Sequence, residues 1–188
     1  TELIISELEK LPGIVIERPT KTGAVAILKG GAGAGPVIAL RADIDALPIT
    51  EETDVPFASK KPGAMHACGH DGHTAMLLYA AKLLAEEKDK LKGEVRFIFQ
   101  HAEELPPGGA IEMQKAGVTK GVDEIYGIHL QSGIPTGVFG SRKGALTSAT
   151  DRFDIKVIGK GGHSAFPETC VDPMIVAGEL IGSLQTLV

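Results

Sequence analysis

The segment with the most reactive side chains is residues 65–74, which holds three histidines, a cysteine and an aspartate. Cys68 and His70 flank Gly69, so a turn at the glycine can direct a thiolate and an imidazole toward one point. Both are good ligands for a borderline divalent cation such as Zn²⁺. The alternative is a buried cysteine beside histidines that bond to the backbone. The pattern favours metal, because so many buried polar groups rarely gather without a partner.

Residues in two further segments could complete a metal site. Glu103 and Glu104 follow the predicted strand 95–100 and precede a stiff Pro-Gly loop. Adjacent carboxylates can divide the work, one binding a metal while the other holds or relays a proton, although Glu-Glu pairs are also common in solvated turns. His129 lies at the end of another predicted strand, where a histidine is either structural or a ligand.

Two other segments could assist. The glycines at 159, 161 and 162 predict a turn that exposes His163, a candidate donor to a substrate oxygen; the spacing fits neither nucleotide-binding fingerprint. Asp43 and Asp45 follow an apolar strand. They could orient metal ligands through hydrogen bonds without binding the metal themselves, or form a salt-bridged turn with Arg41.

Hydrophobic periodicity predicts the elements that position these residues. Apolar runs indicate strands, and 3.6-residue periodicity indicates helices. The strands are predicted at 14–17, 24–28, 37–40, 95–100 and 124–130, and the helices at 3–11, 73–87 and 109–116. This alternation predicts an α/β sheet with helices on its faces, with its site in the loops that follow the strands.

The pattern changes near residue 150. Phe153, Ile155 and Val157 alternate with polar residues, which predicts a half-exposed strand. A helix is predicted at 172–188, with Pro173 at an early helical position. We therefore predict a domain boundary near 145–150, with a first domain at 1–148 and a second at 149–188.

Composition excludes several classes of partner. The net charge is −5, aromatic residues are 4% and tryptophan is absent, which argues against nucleic-acid binding. No apolar run approaches the roughly 20 residues that span a bilayer, and the first residues lack the pattern of a secretory signal. Two cysteines are too few for a disulfide framework. We expect a soluble cytoplasmic protein with no nucleic-acid or membrane partner.

Taken together, these motifs resemble the aminoacylase and amidohydrolase branch of the zinc-exopeptidase superfamily, which includes hippurate hydrolases. The matching stretches are residues 39–48, 65–74, 97–104, 127–129, 151–153 and 159–165. The resemblance implies a mixed sheet flanked by helices, incomplete in this chain, followed by the start of a small α+β lid domain.

The resemblance also implies roles for individual residues. Cys68, His70, Glu104 and His129 would be ligands of a two-metal centre, with the Cys68 thiolate bridging. Glu103 would be the general acid/base, taking a proton from the metal-activated water and later delivering one to the leaving amine. His163, on the lid domain, would stabilise the oxyanion and could reach the active site of a partner subunit.

The implied function is a metal-dependent hydrolase of amide bonds in N-acyl amino acids or small peptides. The implied cofactors are two divalent metal ions, zinc or manganese, with nickel or cobalt as alternatives. The implied assembly is a homodimer that forms through the lid domain. The acyl group and the amino acid of the substrate remain open.

The chain departs from the family in length. Family members are about twice as long, and their fifth metal ligand, a histidine, lies in the C-terminal part of the catalytic domain. We therefore expect this sequence to be the N-terminal half of such an enzyme, with weak or no activity by itself.

Two other classes of function remain open. The first is a non-catalytic metal-binding regulatory domain, or an inactive fragment, that kept the ligands. The second is a thiol-based redox protein that uses Cys68. The redox hypothesis is weak because the sequence has no Cys-x-x-Cys pair, and Cys170 is best interpreted as an ordinary free thiol.

Overall fold

The computed structural model describes residues 1–149 and 151–187. The chain divides into two compact units, Thr1–Thr136 and Gly137–Val188. The first unit holds the sheet and the larger share of the helices. The predicted domain boundary at 148/149 stays a prediction.

The elements of the first unit alternate as predicted. In chain order they are α1 (Glu2–Leu8), β1 (Ile14–Glu17), β2 (Ala24–Lys29), β3 (Val37–Asp43), α2 (His70–Glu86), β4 (Glu94–Gln100), α3 (Gly109–Lys115) and β5 (Glu124–Gly127). A short 3-10 turn, Lys88–Lys90, follows α2. All five strands predicted in this part of the chain are present.

Several element boundaries differ from the prediction by one to three residues: α1, for example, ends at Leu8 rather than at residue 11, and β3 continues to Asp43 rather than ending at residue 40. Helix α2 begins at His70 rather than at residue 73, because Gly69 takes a left-handed conformation (φ 82°) that turns the chain into the helix. Strand β5 ends at Gly127 rather than at residue 130. The backbone N–H of Leu130 donates to the His73 ring instead of to a neighbouring strand.

The five strands form one mixed sheet in the order β1-β2-β4-β3-β5. β1 pairs with β2 and β2 with β4 in antiparallel fashion, whereas β3 pairs in parallel with both β4 and β5. The chain crosses from β3 to β4 through α2, and back over β3 to β5 through α3. Right-handed crossovers in opposite directions place their helices on opposite faces of a sheet.

Side chains from the two sheet faces build two cores. Phe97 and Phe99 point to one face, where they pack with apolar residues of α1 and α2. Ile98 points to the other face and packs with Met113 of α3. This alternation is the period-2 pattern of a strand buried on both sides. The sheet is therefore held between helices, and its strand ends are fixed relative to one another.

The second unit contains the helix α4 (Pro173–Leu184), flanked by short 3-10 turns at Pro167–Thr169 and Gln185–Leu187. The Asp172 side chain caps α4 by accepting from the Met174 N–H at 2.9 Å. The strand predicted at 153–157 is wrong, since these residues belong to no strand or helix. A strand needs a neighbouring strand for its hydrogen bonds, and the pairing found in the described part of this unit is one isolated bridge, Lys160 to Val171.

Among the described residues, no helix combines the length and the hydropathy needed to cross a membrane.

Candidate functional site

The polar residues gather where parallel strands end. β3, β4 and β5 run in the same direction, so their carboxyl ends meet at one edge of the sheet. Asp43 ends β3, Glu103 and Glu104 follow β4, and His129 follows β5. The amino end of α2 adds His70. A crevice at the carboxyl ends of strands, where the crossovers change direction, is the usual ligand site of an open α/β sheet.

His70 lies at the centre of this edge and is completely buried. Its Nδ1 lies 3.0 Å from the backbone carbonyl of Asp45 and donates to it, since a carbonyl oxygen can only accept. In the neutral ring this bond leaves the lone pair of Nε2 free to bind a metal. Nε2 is buried and has no hydrogen-bond partner in the described part of the chain. A buried polar atom without a partner is costly, and a metal ion would satisfy it.

Carboxylates surround the free nitrogen of His70. Nε2 lies 3.7 Å from Oδ1 of Asp43 and 3.8 Å from Oε1 of Glu104. A histidine that donates through one nitrogen to a carbonyl while the other faces carboxylates has the usual form of a metal ligand. His70 therefore fits an ion held between it and these acids.

Cys68 and His129 approach His70 from two other loops. Sγ of Cys68 lies 3.4 Å from Nε2 of His129, and Nδ1 of His129 donates to the Leu130 carbonyl at 2.6 Å. The potential ligand atoms of Cys68, His70 and His129 all lie within 4.8 Å of one another. Thiolate and imidazole together favour a borderline metal.

The two glutamates after β4 reach the same cluster. Their carboxylates and a ring nitrogen of His70 lie within 4.8 Å of one another. Glu103 is exposed, whereas Glu104 is partly buried. The backbone N–H of Glu104 donates to Oδ2 of Asp45 at 3.1 Å. Asp45 thereby holds both the loop of Glu104 and the ring of His70.

The loop that carries the glutamates begins with an uncommon backbone conformation. Ala102 has a φ of 47°, in the left-handed region that residues other than glycine rarely adopt. Its carbonyl accepts from the Gly109 N–H at 2.9 Å. Strained residues held by such contacts are concentrated at functional sites.

The electrostatics of the cluster favour a cation. Desolvation, a hydrogen bond to Glu104 and the negative charges of Glu104, Glu103 and Asp43 together raise the pKa of the Cys68 thiol to about 11. Burial also acts to raise the pKa of Asp43, but hydrogen bonding from His73 and the charge of Arg41 hold it below its usual value. The cluster thus carries more negative charge than its own cations balance, and its donor set fits a divalent metal.

The predicted site residues divide between the two units. Cys68, His70, Glu104, His129 and Glu103 meet in the first unit. His163 belongs to the second unit, where its Nδ1 accepts from the Ala165 N–H at 3.1 Å and its ring lies 5.6 Å from that of Phe166. The catalytic role of His163 stays a prediction.

Both interpretations of the Arg41–Asp45 segment describe part of the structure. Arg41 pairs with Asp43 at 2.7 Å, as in a salt-bridged turn, and Asp45 contacts His70 and Glu104 as a support for these proposed ligands.

Sequence reasoning assigned no role to His73, which bonds to Asp43. Its spacing from His70 was a usable signal, because residues three apart lie on the same helix face.

Comparison with known proteins identifies the family. A model of Peptidase family M20/M25/M40 matches residues 39–181. The chain belongs to this family. The match begins in β3 and therefore includes every candidate residue described above.

Relatives and solved structures of this peptidase family support the assignment. The chain is 49% identical to an N-acyl-L-amino acid amidohydrolase of Geobacillus stearothermophilus, over 100% of the chain and 50% of that protein. It is 45% identical to thermostable carboxypeptidase 1 of Saccharolobus solfataricus, over 98% of the chain and 47% of that protein. The chain spans about half the length of the curated relatives it matches.

Crystal structures of related proteins match the fold. A putative aminohydrolase from methicillin-resistant Staphylococcus aureus superposes with a TM-score of 0.81 at 36% identity, over 98% of the chain and 49% of that protein. The Bacillus subtilis YXEP protein, a dinuclear metal binding peptidase of the M20 family, superposes with a TM-score of 0.69 at 51% identity. That match covers 73% of this chain and 38% of YXEP.

Gly69 lies between Cys68 and His70 and allows a first prediction. Its φ of 82° is unfavourable for a side chain, and an added Cβ would lie 3.3 Å from the Leu130 side chain. We expect Gly69→Ala to lower the free energy of unfolding by about 1–2 kcal/mol, as measured by urea denaturation. Gly63→Ala is the matched control, since Gly63 has a φ of 72° with nothing within 4 Å. Equal losses in the two variants would show that contact with Leu130 adds nothing.

Proposed function

We propose that the parent protein is a metal-dependent hydrolase that cleaves the amide bond of N-acyl amino acids or small peptides. The observation that carries the proposal is the buried Nε2 of His70, which has no hydrogen-bond partner among the described residues and is surrounded by a thiol, a second imidazole and carboxylates. Membership in the peptidase family and the names of its relatives support the same reaction class.

The residues that would hold the two metal ions are Cys68, His70, Glu104 and His129. The dinuclear metal centre of the related B. subtilis protein supports two ions rather than one. The thiolate favours zinc, while the imidazoles and the carboxylate also admit manganese, nickel or cobalt. Bound ions would supply Lewis acidity and lower the pKa of a water molecule at the site.

Glu103 is the proposed general acid/base. Its carboxylate belongs to the same group of ligand atoms as His70 and Glu104, and its exposure leaves it open to a substrate and to water. Glu103 would accept a proton from the attacking water and return it to the leaving nitrogen, which balances the hydrolysis. The backbone N–H of Glu104 donates to Asp45, and this bond holds the backbone of the loop that carries both glutamates.

His163 is the proposed donor to the oxyanion. The turn that precedes it is rich in glycine, and its ring is exposed. A ring N–H aimed at the carbonyl oxygen would favour the charge that develops there as water adds. His163 would act from the lid domain, which we propose to begin near residue 149.

The proposed assembly is a cytoplasmic homodimer formed through the lid domain. Helix α4 supports it, since apolar side chains on this helix are exposed: Met174, Ile175, Val176 and Ile181. Exposed apolar patches of this kind are common at protein interfaces.

A substrate screen with the purified parent protein tests the proposed function. The panel would contain N-acetyl amino acids, N-benzoyl amino acids and dipeptides, each assayed after loading with zinc or manganese. We expect turnover of at least one class, loss of turnover after chelation, and recovery when metal is added. Turnover that survives complete removal of metal would refute the proposed mechanism. A metal-loaded protein inactive on every class would instead favour a binding role.

A further inference from the structure

We propose that His73 is a positioning residue that fixes the loop after β5, and so holds His129 where it can bind metal. This inference rests on the proposed function for its metal-binding consequence. The contact that it invokes lies wholly within the first unit.

Both ring nitrogens of His73 are engaged. Nε2 accepts from the Leu130 backbone N–H at 2.8 Å, so the ring proton is on Nδ1, which donates to Oδ1 of Asp43 at 2.5 Å. The residue is 4% exposed. His73 lies close enough to His70 and Asp43 to be mistaken for a third ligand, but binding a metal would break one of these hydrogen bonds.

The hydrogen bond from Leu130 to His73 fixes the backbone directly after the proposed ligand His129. His129 is exposed, and its Nδ1 bonds only one residue away, to the Leu130 carbonyl. The rings of His73 and His129 lie edge to face, with centroids 4.7 Å apart. His73 therefore ties helix α2 to the His129 loop at the residue that follows the ligand.

Two glycines make this approach feasible. A Cβ on Gly72 would lie 2.6 Å from Cδ1 of Leu130, and one on Gly69 would lie 3.3 Å from it. The Leu130 side chain therefore packs against Gly69 and Gly72 at the start of α2, where these two residues lack side chains. The loop is held by an apolar contact and by the hydrogen bond to His73, both at the same residue.

The other side of His73 is anchored to the sheet. Arg41 donates through Nη1 to Oδ2 of Asp43 at 2.7 Å and through Nε to Oε1 of Gln100 at 2.9 Å. The network thus runs from the end of β4 through Arg41, Asp43 and His73 to Leu130. Buried partners of this kind orient a ligand loop without touching the metal, and their loss typically weakens metal binding by about 10–100-fold.

Two substitutions separate the two hydrogen bonds of His73. The longer side chain of Gln can place its amide oxygen where Nε2 accepts from the Leu130 N–H. The shorter side chain of Asn can place its amide only where Nδ1 donates to Asp43, so it loses the bond to Leu130. In the full parent protein we expect His73→Asn to weaken binding of one of the two metal ions by about 10–100-fold, with a smaller loss in His73→Gln. Titration against a chromophoric chelator measures the affinity, and the thiolate-to-metal absorption of the cobalt-loaded protein reports the geometry around Cys68. Lys82→Asn, at an exposed position of the same helix, controls for asparagine in α2.

Hydrogen exchange of the Leu130 amide in the metal-free protein tests the contact independently of metal. We expect faster exchange in His73→Asn than in the wild type, and partial protection in His73→Gln. Unchanged exchange in His73→Asn, or equal metal loss in both variants, would overturn the inference. If the wild type bound no divalent metal while Leu130 exchange still depended on His73, the proposed function would fail and the anchoring contact would stand.

Discussion

Replacing Glu103 with glutamine is expected to lower kcat of the parent enzyme by about a hundredfold to ten-thousandfold, the usual contribution of a general acid/base. The amide is nearly isosteric with the carboxylate but cannot accept a proton from water. Since Glu103 is exposed, the substitution leaves no buried group without a partner. Steady-state kinetics on the substrate identified by the screen, with metal content measured on the same sample, provide the test.

The metal content decides what a loss of activity means. We expect Glu103→Gln to keep both metal ions, because the proposed ligands are other residues. Glu86→Gln, at an exposed position of α2, is the matched control and should keep full activity. If Glu103→Gln remained active, the acid/base assignment would be wrong. A non-catalytic metal-binding domain has no need of this carboxylate, so the variant also separates that alternative from the enzyme.

His70→Asn is expected to abolish stoichiometric metal binding, and turnover with it. The asparagine amide can still donate to the Asp45 carbonyl in place of Nδ1, whereas the lone pair of Nε2 is lost. Because Nε2 has no protein partner within the described part of the chain, the metal-free protein should lose only the packing of the missing ring atoms, roughly 1–2 kcal/mol. Elemental analysis after dialysis and urea denaturation with chelator present measure the two quantities.

A matched control comes from the same segment. His66 is exposed and belongs to none of the groups of potential ligands, so His66→Asn should bind metal like the wild type. A His70→Asn protein that retained both ions would show that His70 is a core histidine. A large loss of stability without metal would indicate a structural role instead.

The sheet and its helices could be predicted from sequence because they depend on local periodicity. Val95, Phe97 and Phe99 alternate with Arg96, residues 37–40 form a continuous apolar run, and the five strands predicted from such patterns in the first unit are all present. The strand at 153–157 was predicted from the same alternation and is wrong. Alternation indicates which face of a strand is apolar, but a strand also needs a partner, and pairing is not a local property.

The convergence of the candidate site was also predictable, since each proposed ligand follows a strand or opens a helix at the same edge of the sheet. The sequence could not show which hydrogen-bond partners the ring nitrogens of the histidines have. His70 and His73 look alike in the sequence, yet one has a free buried nitrogen and the other has two hydrogen bonds. The difference arises from Asp45 and Leu130, which lie far from α2 along the chain.

Asp45 touches both sides of the site, through the ring of His70 and the backbone of Glu104. A change that shifts either loop therefore alters the contacts of the other. Free-energy costs of substitutions in the two loops should for this reason be non-additive, with coupling energies of about 0.5–3 kcal/mol in a double-mutant cycle. Natural variation at one loop would then constrain which residues the other loop tolerates.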